Sequence, residues 1–164
     1  MNPGTRLGVV GVGKLGEAIV GGLLRRNILP VDSVVGTVRH EDSLQRVAER
    51  LGIRATLDNR EAVAGRNVVL LAVKPQNMDA VLAEIGDTLT PDQLVISVAA
   101  SVTTPFIEER IAKPVPVVRA MPNTPCILGV GMTALCAGRH ARAEHLATTF
   151  PGRKRGSITE AMNS

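Results

Sequence analysis

Apolar residues in this chain follow two rhythms that alternate. Continuous apolar runs at Leu7–Val10, Val68–Val73 and Leu94–Ala100 predict buried strands, and Ser33–Val38 predicts another. Between them apolar positions recur every three to four residues: Leu15, Ile19, Leu23 and Leu24, then Leu44, Val47, Ala48 and Leu51, then Val81, Leu82 and Ile85. That spacing predicts a helix after the first strand, a helix over Glu41–Leu51 stopped by Gly52, and one over Met78–Ile85. Thr103–Ile111 reads as helical, with Thr103 or Thr104 as its cap and Pro105 near its first position. Ile53–Thr56 is a short strand, Asp58–Glu61 a loop and cap before a short helical turn, and Pro116–Met121 a strand ended by Pro122. Gly131–Ala137 predicts the last strand and Ala141–Phe150 the last helix.

Strands that alternate with helices imply right-handed crossovers and an α/β fold with a mostly parallel, doubly wound sheet. Residues 1–150 then form one domain and 151–164 a tail, whose Gly152-Arg153-Lys154-Arg155-Gly156 is basic and flexible. Ligands of such sheets bind beyond the carboxyl ends of the strands. The candidate loops there are Gly11–Gly16, Thr37–Glu41, Ala72–Gln76, Ala99–Val102 and Met121–Pro125.

The first of these loops is Gly11-Val12-Gly13-Lys14-Leu15-Gly16, a G-x-G-x-x-G between a strand and a helix. Gly11 suits a tight turn, Gly13 leaves room for a pyrophosphate, and Gly16 allows close packing of the helix on the strand. Phosphates would rest on the free N–H groups and positive dipole of the helix N-terminus. The motif predicts a Rossmann-like dinucleotide site; the alternative is a glycine turn that only connects two elements.

The end of the second strand bears on which dinucleotide. An acid there accepts bonds from the adenine-ribose hydroxyls of NAD(H), and its charge would repel a 2′-phosphate. Here the strand ends Gly36-Thr37-Val38-Arg39-His40. Arg39 can pair with a phosphate and stack on adenine, and Thr37 can donate a hydroxyl bond. Glu41 and Asp42 suit the first turn of the next helix. The charge logic favours NADP(H), with NAD(H) as the alternative.

Composition removes other classes. The chain has 164 residues, 45% of them hydrophobic, with a formal net charge of +4, which fits one folded domain and not a disordered chain. Phe106 and Phe150 are its only aromatics, so the core is aliphatic and single-stranded nucleic acid, which needs stacking platforms, is not an expected partner. Its apolar runs fall short of the roughly 20 residues of a membrane span. Cys126 and Cys136 form neither a C-x-x-C pair nor a disulfide framework and read as small buried hydrophobes; a cytoplasmic setting follows. His40, His140 and His145 make no metal-ligand spacing, so no metal is expected.

Two later stretches carry a family resemblance. Leu71-Ala72-Val73-Lys74-Pro75-Gln76 and Val118-Arg119-Ala120-Met121-Pro122-Asn123-Thr124-Pro125, together with Val95–Ala100 and Gly131–Leu135, closely resemble pyrroline-5-carboxylate reductase, in order from about Leu7 to Phe150. The resemblance implies an NAD(P)H-dependent reduction of the cyclic imine 1-pyrroline-5-carboxylate, the last step of proline biosynthesis. It implies that Val10, Gly11, Val12, Gly13, Lys14 and Leu15 hold the pyrophosphate, that Thr37 and Arg39 face the adenine-ribose end, and that Asn59 contacts the adenosine ribose. It places Ala72, Val73, Lys74, Pro75, Val98, Ala99 and Ala100 along the nicotinamide half, and Asn123 and Thr124 beside the nicotinamide and the substrate entrance. Pro75 should stiffen the turn after Lys74 and bar helix there.

The resemblance also implies a C-terminal helical domain that forms the homo-oligomer and holds the substrate carboxylate. Ile158–Met162 resembles the lead-in to it, and the sequence stops at Ser164. The candidate loops offer no general acid: His40 and Glu41 fall at the adenine end. Binding without efficient turnover, as a cofactor-binding remnant, is therefore an alternative, as is another Rossmann-type oxidoreductase of the 3-hydroxyacid or deazaflavin class; LAVKPQ and MPNTP favour the first reading.

Overall fold

A computed structural model of the chain describes residues 4–122 and 133–149. The apolar runs assemble into one seven-stranded sheet: β1 (Leu7–Val10), β2 (Val34–Thr37), β3 (Arg54–Thr56), β4 (Val68–Leu71), β5 (Leu94–Ser97), β6 (Val117–Pro122) and β7 (Thr133–Ala137), in the order β3-β2-β1-β4-β5-β6-β7. Neighbours pair in parallel from β3 through β6. Strand β7 pairs antiparallel with β6, Ala120 opposite Leu135. The sheet is thus Rossmann-like and doubly wound, as the alternation of elements predicts. From β1 the chain winds outward to β2 and β3, then returns to lay β4 on the other side of β1. That reversal opens a crevice at the carboxyl ends of β1 and β4.

Helices cover both faces. Leu7, Val9, Leu70, Ile96 and Val118 pack on the side of α1 (Lys14–Arg25), α2 (Asp42–Leu51) and α6 (Ala143–Thr149). Val10, Val69, Leu71, Val95 and Val117 pack on the side of α3 (Asn59–Val63), α4 (Met78–Ile85) and α5 (Thr104–Ile111). Alternate strand residues serve opposite faces, which is why the central runs are apolar at every position. Gly8 breaks that rule because α3 lies against it: a Cβ at Gly8 would sit 2.2 Å from the Ala62 carbonyl oxygen.

Local signals set the helix ends. Asp58 caps α3 by accepting from the N–H groups of Arg60 and Glu61, and Thr103 caps α5 by accepting from Phe106 N–H. Gly52 ends α2 in the left-handed region, at φ 71°. The strands are shorter than the apolar runs, β4 stopping at Leu71 and β5 at Ser97, because the pairing ends before the hydrophobicity does. Two expectations are corrected. Pro75 does not bar helix: it opens a 3-10 turn over Pro75–Asn77 that leads into α4, at a position where its missing N–H costs nothing. Cys136 is exposed, not buried, since β7 is the edge of the sheet; Cys126 lies outside the described residues, as do Asn123, Thr124 and the 151–164 tail. Among the described residues no helix is long and apolar enough to cross a membrane.

Candidate nucleotide site

A cleft of about 570 Å³ opens at the crevice, within the range of small-molecule sites. Three of the expected loops form it: Gly11, Val12 and Gly13 after β1, Thr37 to His40 after β2, and Ala72 to Lys74 after β4.

The glycine turn is built by close approach. Gly11 has φ +91°, a conformation that L side chains rarely adopt, and a Cβ there would strike the Val73 side chain at 2.7 Å. Gly16 lies against the turn, its Cβ direction 2.5 Å from the Gly11 carbonyl oxygen. Gly13 is different: nothing lies within 4 Å of where its Cβ would be. It is exposed, it lines the cleft, and it is the N-cap of α1 with no side-chain capping bond. The first-turn N–H groups of a twelve-residue helix therefore stand without a side-chain cap at the mouth of the cleft.

Thr37 ties this turn to β2. Its hydroxyl oxygen accepts from Gly11 N–H at 3.0 Å and its carbonyl accepts from Val12 N–H at 2.7 Å. At 3% exposure it is a buried clasp whose hydroxyl proton remains to be donated.

The floor after β2 is cationic. Arg39, His40, Ser43 and Arg46 line it, with Arg39 Nη2 donating to Asn77 Oδ1 at 3.3 Å and Arg46 Nη2 donating to Ser43 Oγ at 3.0 Å. Asp42 sits in the first turn of α2, and neither it nor Glu41 lines the cleft. The lining also includes Asn59 from α3 and Glu84 from α4, joined by a 2.8 Å bond from Asn59 Nδ2 to Glu84 Oε2. At the far, amino end of the sheet, burial first and then Arg6 and Arg54 push the Arg66 guanidinium below its ordinary value. That cluster is remote from the cleft.

The remaining expected residues sit as follows. Val10 is fully buried, and its carbonyl accepts from Ala72 N–H at 2.9 Å, which holds the loops after β1 and β4 side by side. Lys14 is exposed on the first turn of α1, and Leu15 packs against the core, leaving only its backbone near the mouth. Pro75 is exposed in the 3-10 turn. Val98 and Ala99 are buried beyond β5 and Ala100 is exposed, one strand past the cleft lining. Ser101 follows at φ 60°, a strained backbone for a residue with a side chain.

Sequence reasoning did not single out Ser43, Arg46, Asn77 or Glu84. A signal existed. Ser43 and Arg46 are three apart on α2, and Asn77, Ala80, Val81 and Glu84 recur at helical spacing along α4 and its entry. Each set is one helix face turned to the cleft.

The chain matches the family model described as NADP oxidoreductase coenzyme F420-dependent over residues 6–101, from β1 to the loop after β5. It is 40% identical over 145 residues to a pyrroline-5-carboxylate reductase of Corynebacterium melassecola, covering 87% of this chain and 53% of that one. It is 32% identical over 136 residues to pyrroline-5-carboxylate reductase 1 of Bacillus subtilis, covering 82% and 46%. A solved pyrroline-5-carboxylate reductase of Coxiella burnetii superposes with a TM-score of 0.83 at 34% identity, over 98% of this chain and 57% of that one. The chain thus spans about half the length of the curated relatives it matches.

Proposed function

We propose, since the chain belongs to the family of coenzyme F420-dependent NADP oxidoreductases, that it forms the dinucleotide-binding part of an NADP(H)-dependent reductase acting on 1-pyrroline-5-carboxylate. One observation carries the cofactor half of this reading: the uncapped N-terminus of α1 opens through Gly13 onto a cleft whose far floor holds Arg39, Ser43 and Arg46. A dinucleotide phosphate needs backbone donors at the first place, and a 2′-phosphate needs cations and a hydroxyl at the second. The substrate half rests on the likeness to the reductases of Corynebacterium melassecola and Bacillus subtilis.

In this reading the N–H groups of Gly13, Lys14 and Leu15 hold the pyrophosphate. Arg39, with Arg46 and Ser43 beside it, takes the 2′-phosphate, and Asn59 the ribose. Ala72 to Pro75, then Val98 to Ala100, border the nicotinamide. Bound NADPH supplies a hydride for the carbon–nitrogen double bond. The chain's own task is to hold the ring in a fixed, dry place. A cytoplasmic location and a homo-oligomeric full-length protein belong to the same proposal.

Arg39→Ala tests the cofactor. A charge-assisted bond to phosphate contributes roughly 1.5–3 kcal/mol, about 10- to 150-fold in affinity. NADPH binding should fall by that factor while NADH binding changes little. Equal losses in parallel fluorescence titrations refute the 2′-phosphate assignment.

A second expectation follows from the half-length match. The 164-residue chain by itself should bind NADPH yet reduce 1-pyrroline-5-carboxylate poorly. Among the described residues the cleft lining offers Glu84, His40 and Lys74 as proton-carrying side chains; in this reading Glu84 and His40 belong to its adenine side, and Lys74 alone to the nicotinamide loops. Precise placement of reactants accounts for roughly 7–11 kcal/mol of a barrier, and on the loops given to the nicotinamide Lys74 is the single cation of the cleft lining, a flexible point charge and not a two-point clamp for a substrate carboxylate. NADPH oxidation is measured beside binding on one sample. Turnover within roughly tenfold of a full-length relative, or about 1.4 kcal/mol in the barrier, places the needed groups inside these residues and overturns this expectation.

A further inference from the structure

Asn59 and Glu84 come from different helices and meet in the wall of the cleft. Asn59 is the first residue of α3, and its place is fixed from below. Asp58 caps that helix through the Arg60 and Glu61 N–H groups, and Glu61 is held by Arg54 and by Thr56 Oγ1, the latter at 2.6 Å. Glu84 stands near the end of α4. Its backbone carbonyl accepts from Arg60 Nε at 2.8 Å, and its carboxylate accepts from Asn59 Nδ2 at 2.8 Å. Both side chains are half-buried and both line the cleft.

The chemistry of this pair removes an ambiguity. An asparagine amide can turn over and offer a ligand either its oxygen or its nitrogen. An ionised carboxylate only accepts, so the face of the amide that meets Glu84 has to be the nitrogen. The amide oxygen is then left for the ligand.

We propose that Glu84 is a positioning residue: it locks the Asn59 amide so that Oδ1 faces the cleft, and so makes this wall select a hydroxyl donor on the adenosine ribose. The inference rests on the dinucleotide reading and deepens it. An acceptor oxygen backed by a carboxylate repels phosphate and welcomes a ribose hydroxyl. Arg39 and Arg46, which line the same cleft, do the reverse. Together the two groups fix which edge of the ribose turns toward each. In a 2′-phosphorylated nucleotide the free hydroxyl is the 3′-OH, so that group lies toward Asn59 while the phosphate lies toward the arginines.

The test uses the 164-residue chain with adenosine 2′,5′-bisphosphate, whose one free ribose hydroxyl is the 3′-OH, and its 3′-deoxy analogue as probes, in wild type, Glu84→Gln and Asn59→Ala, each titrated by calorimetry or ligand-observed NMR. A glutamine can meet the amide through either of its own ends, so it releases the lock with little change in size. In wild type, loss of the 3′-OH should weaken binding about 2- to 12-fold, the range of one net hydrogen bond. In Glu84→Gln and in Asn59→Ala the same deletion should cost nothing measurable. The analogue itself should bind Glu84→Gln as it binds wild type, which shows that the variant cleft is intact. An equal penalty for the missing hydroxyl in wild type and Glu84→Gln overturns the positioning role. So does an analogue affinity that falls together with that of the parent, since Glu84 then only supports the fold. If neither probe binds wild type, the dinucleotide reading fails and the inference with it.

Discussion

Gly13→Val is expected to leave the chain folded and to remove its affinity for NADPH. A Cβ at Gly13 meets no protein atom within 4 Å, so the extra methyl groups enter open cleft and not the core. The space they fill is the approach to the α1 N-terminus, where the pyrophosphate would reach the uncapped N–H groups. Losing two charge-assisted bonds removes roughly 3–6 kcal/mol, on the order of 100-fold or more in affinity. Thermal unfolding and an NADPH titration of the same sample check both halves. A folded variant with unchanged affinity rules out this turn as the phosphate site.

Gly8→Val should do the opposite. Gly8 lies at the centre of β1, between Val35 of β2 and Val69 of β4. Its missing side chain is the space that α3 occupies: a Cβ would stand 2.2 Å from the Ala62 carbonyl oxygen and 3.2 Å from Arg66 Cγ. The backbone on one side of that contact belongs to a strand paired on both edges, so α3 has to move off the sheet. Overpacking a well-filled core costs about 1–3 kcal/mol, and here the obstacle is backbone, which cannot swing away as a flexible side chain does. A domain of this size loses about 2–4 °C per kcal/mol, so the melting temperature should fall by roughly 2–12 °C. Gly8→Ala should show a smaller fall in the same direction, measured by circular dichroism. Unchanged melting in both variants means that α3 does not rest on β1 as described. The pair of glycines separates two uses of one residue type: at Gly13 the space belongs to a ligand, at Gly8 to the protein.

Much of this was legible from residue order alone. The run of Val68 to Leu71 had to be a buried strand because no residue in it can face water without cost. Leu44, Val47 and Leu51 could share a face only in a helix. The G-x-G-x-x-G between a strand and a helix located the glycine turn, because its geometry depends on residues adjacent in sequence. Asp58 and Gly52 announced helix ends for the same reason, and Thr103 was one of two candidates with Thr104: capping is a bond to a backbone group a few residues away.

What the sequence left open depends on contacts between distant residues. Nothing local says that β7 runs antiparallel or that Cys136 therefore lies on an exposed edge. Pro75 reads locally as a helix breaker, yet the approach of α4 gave it the first position of a turn that needs no N–H. The clasp from Thr37 to Gly11 joins residues 26 apart, and the bond from Asn59 to Glu84 joins residues 25 apart. Helix periodicity puts Ser43 with Arg46 and Asn77 with Glu84, but it cannot say which face of a helix will look into a cleft. Only the reversal of strand order between β1 and β4 turns those faces toward one another, since a hydrophobic pattern records how much of an element is buried and not which element buries it.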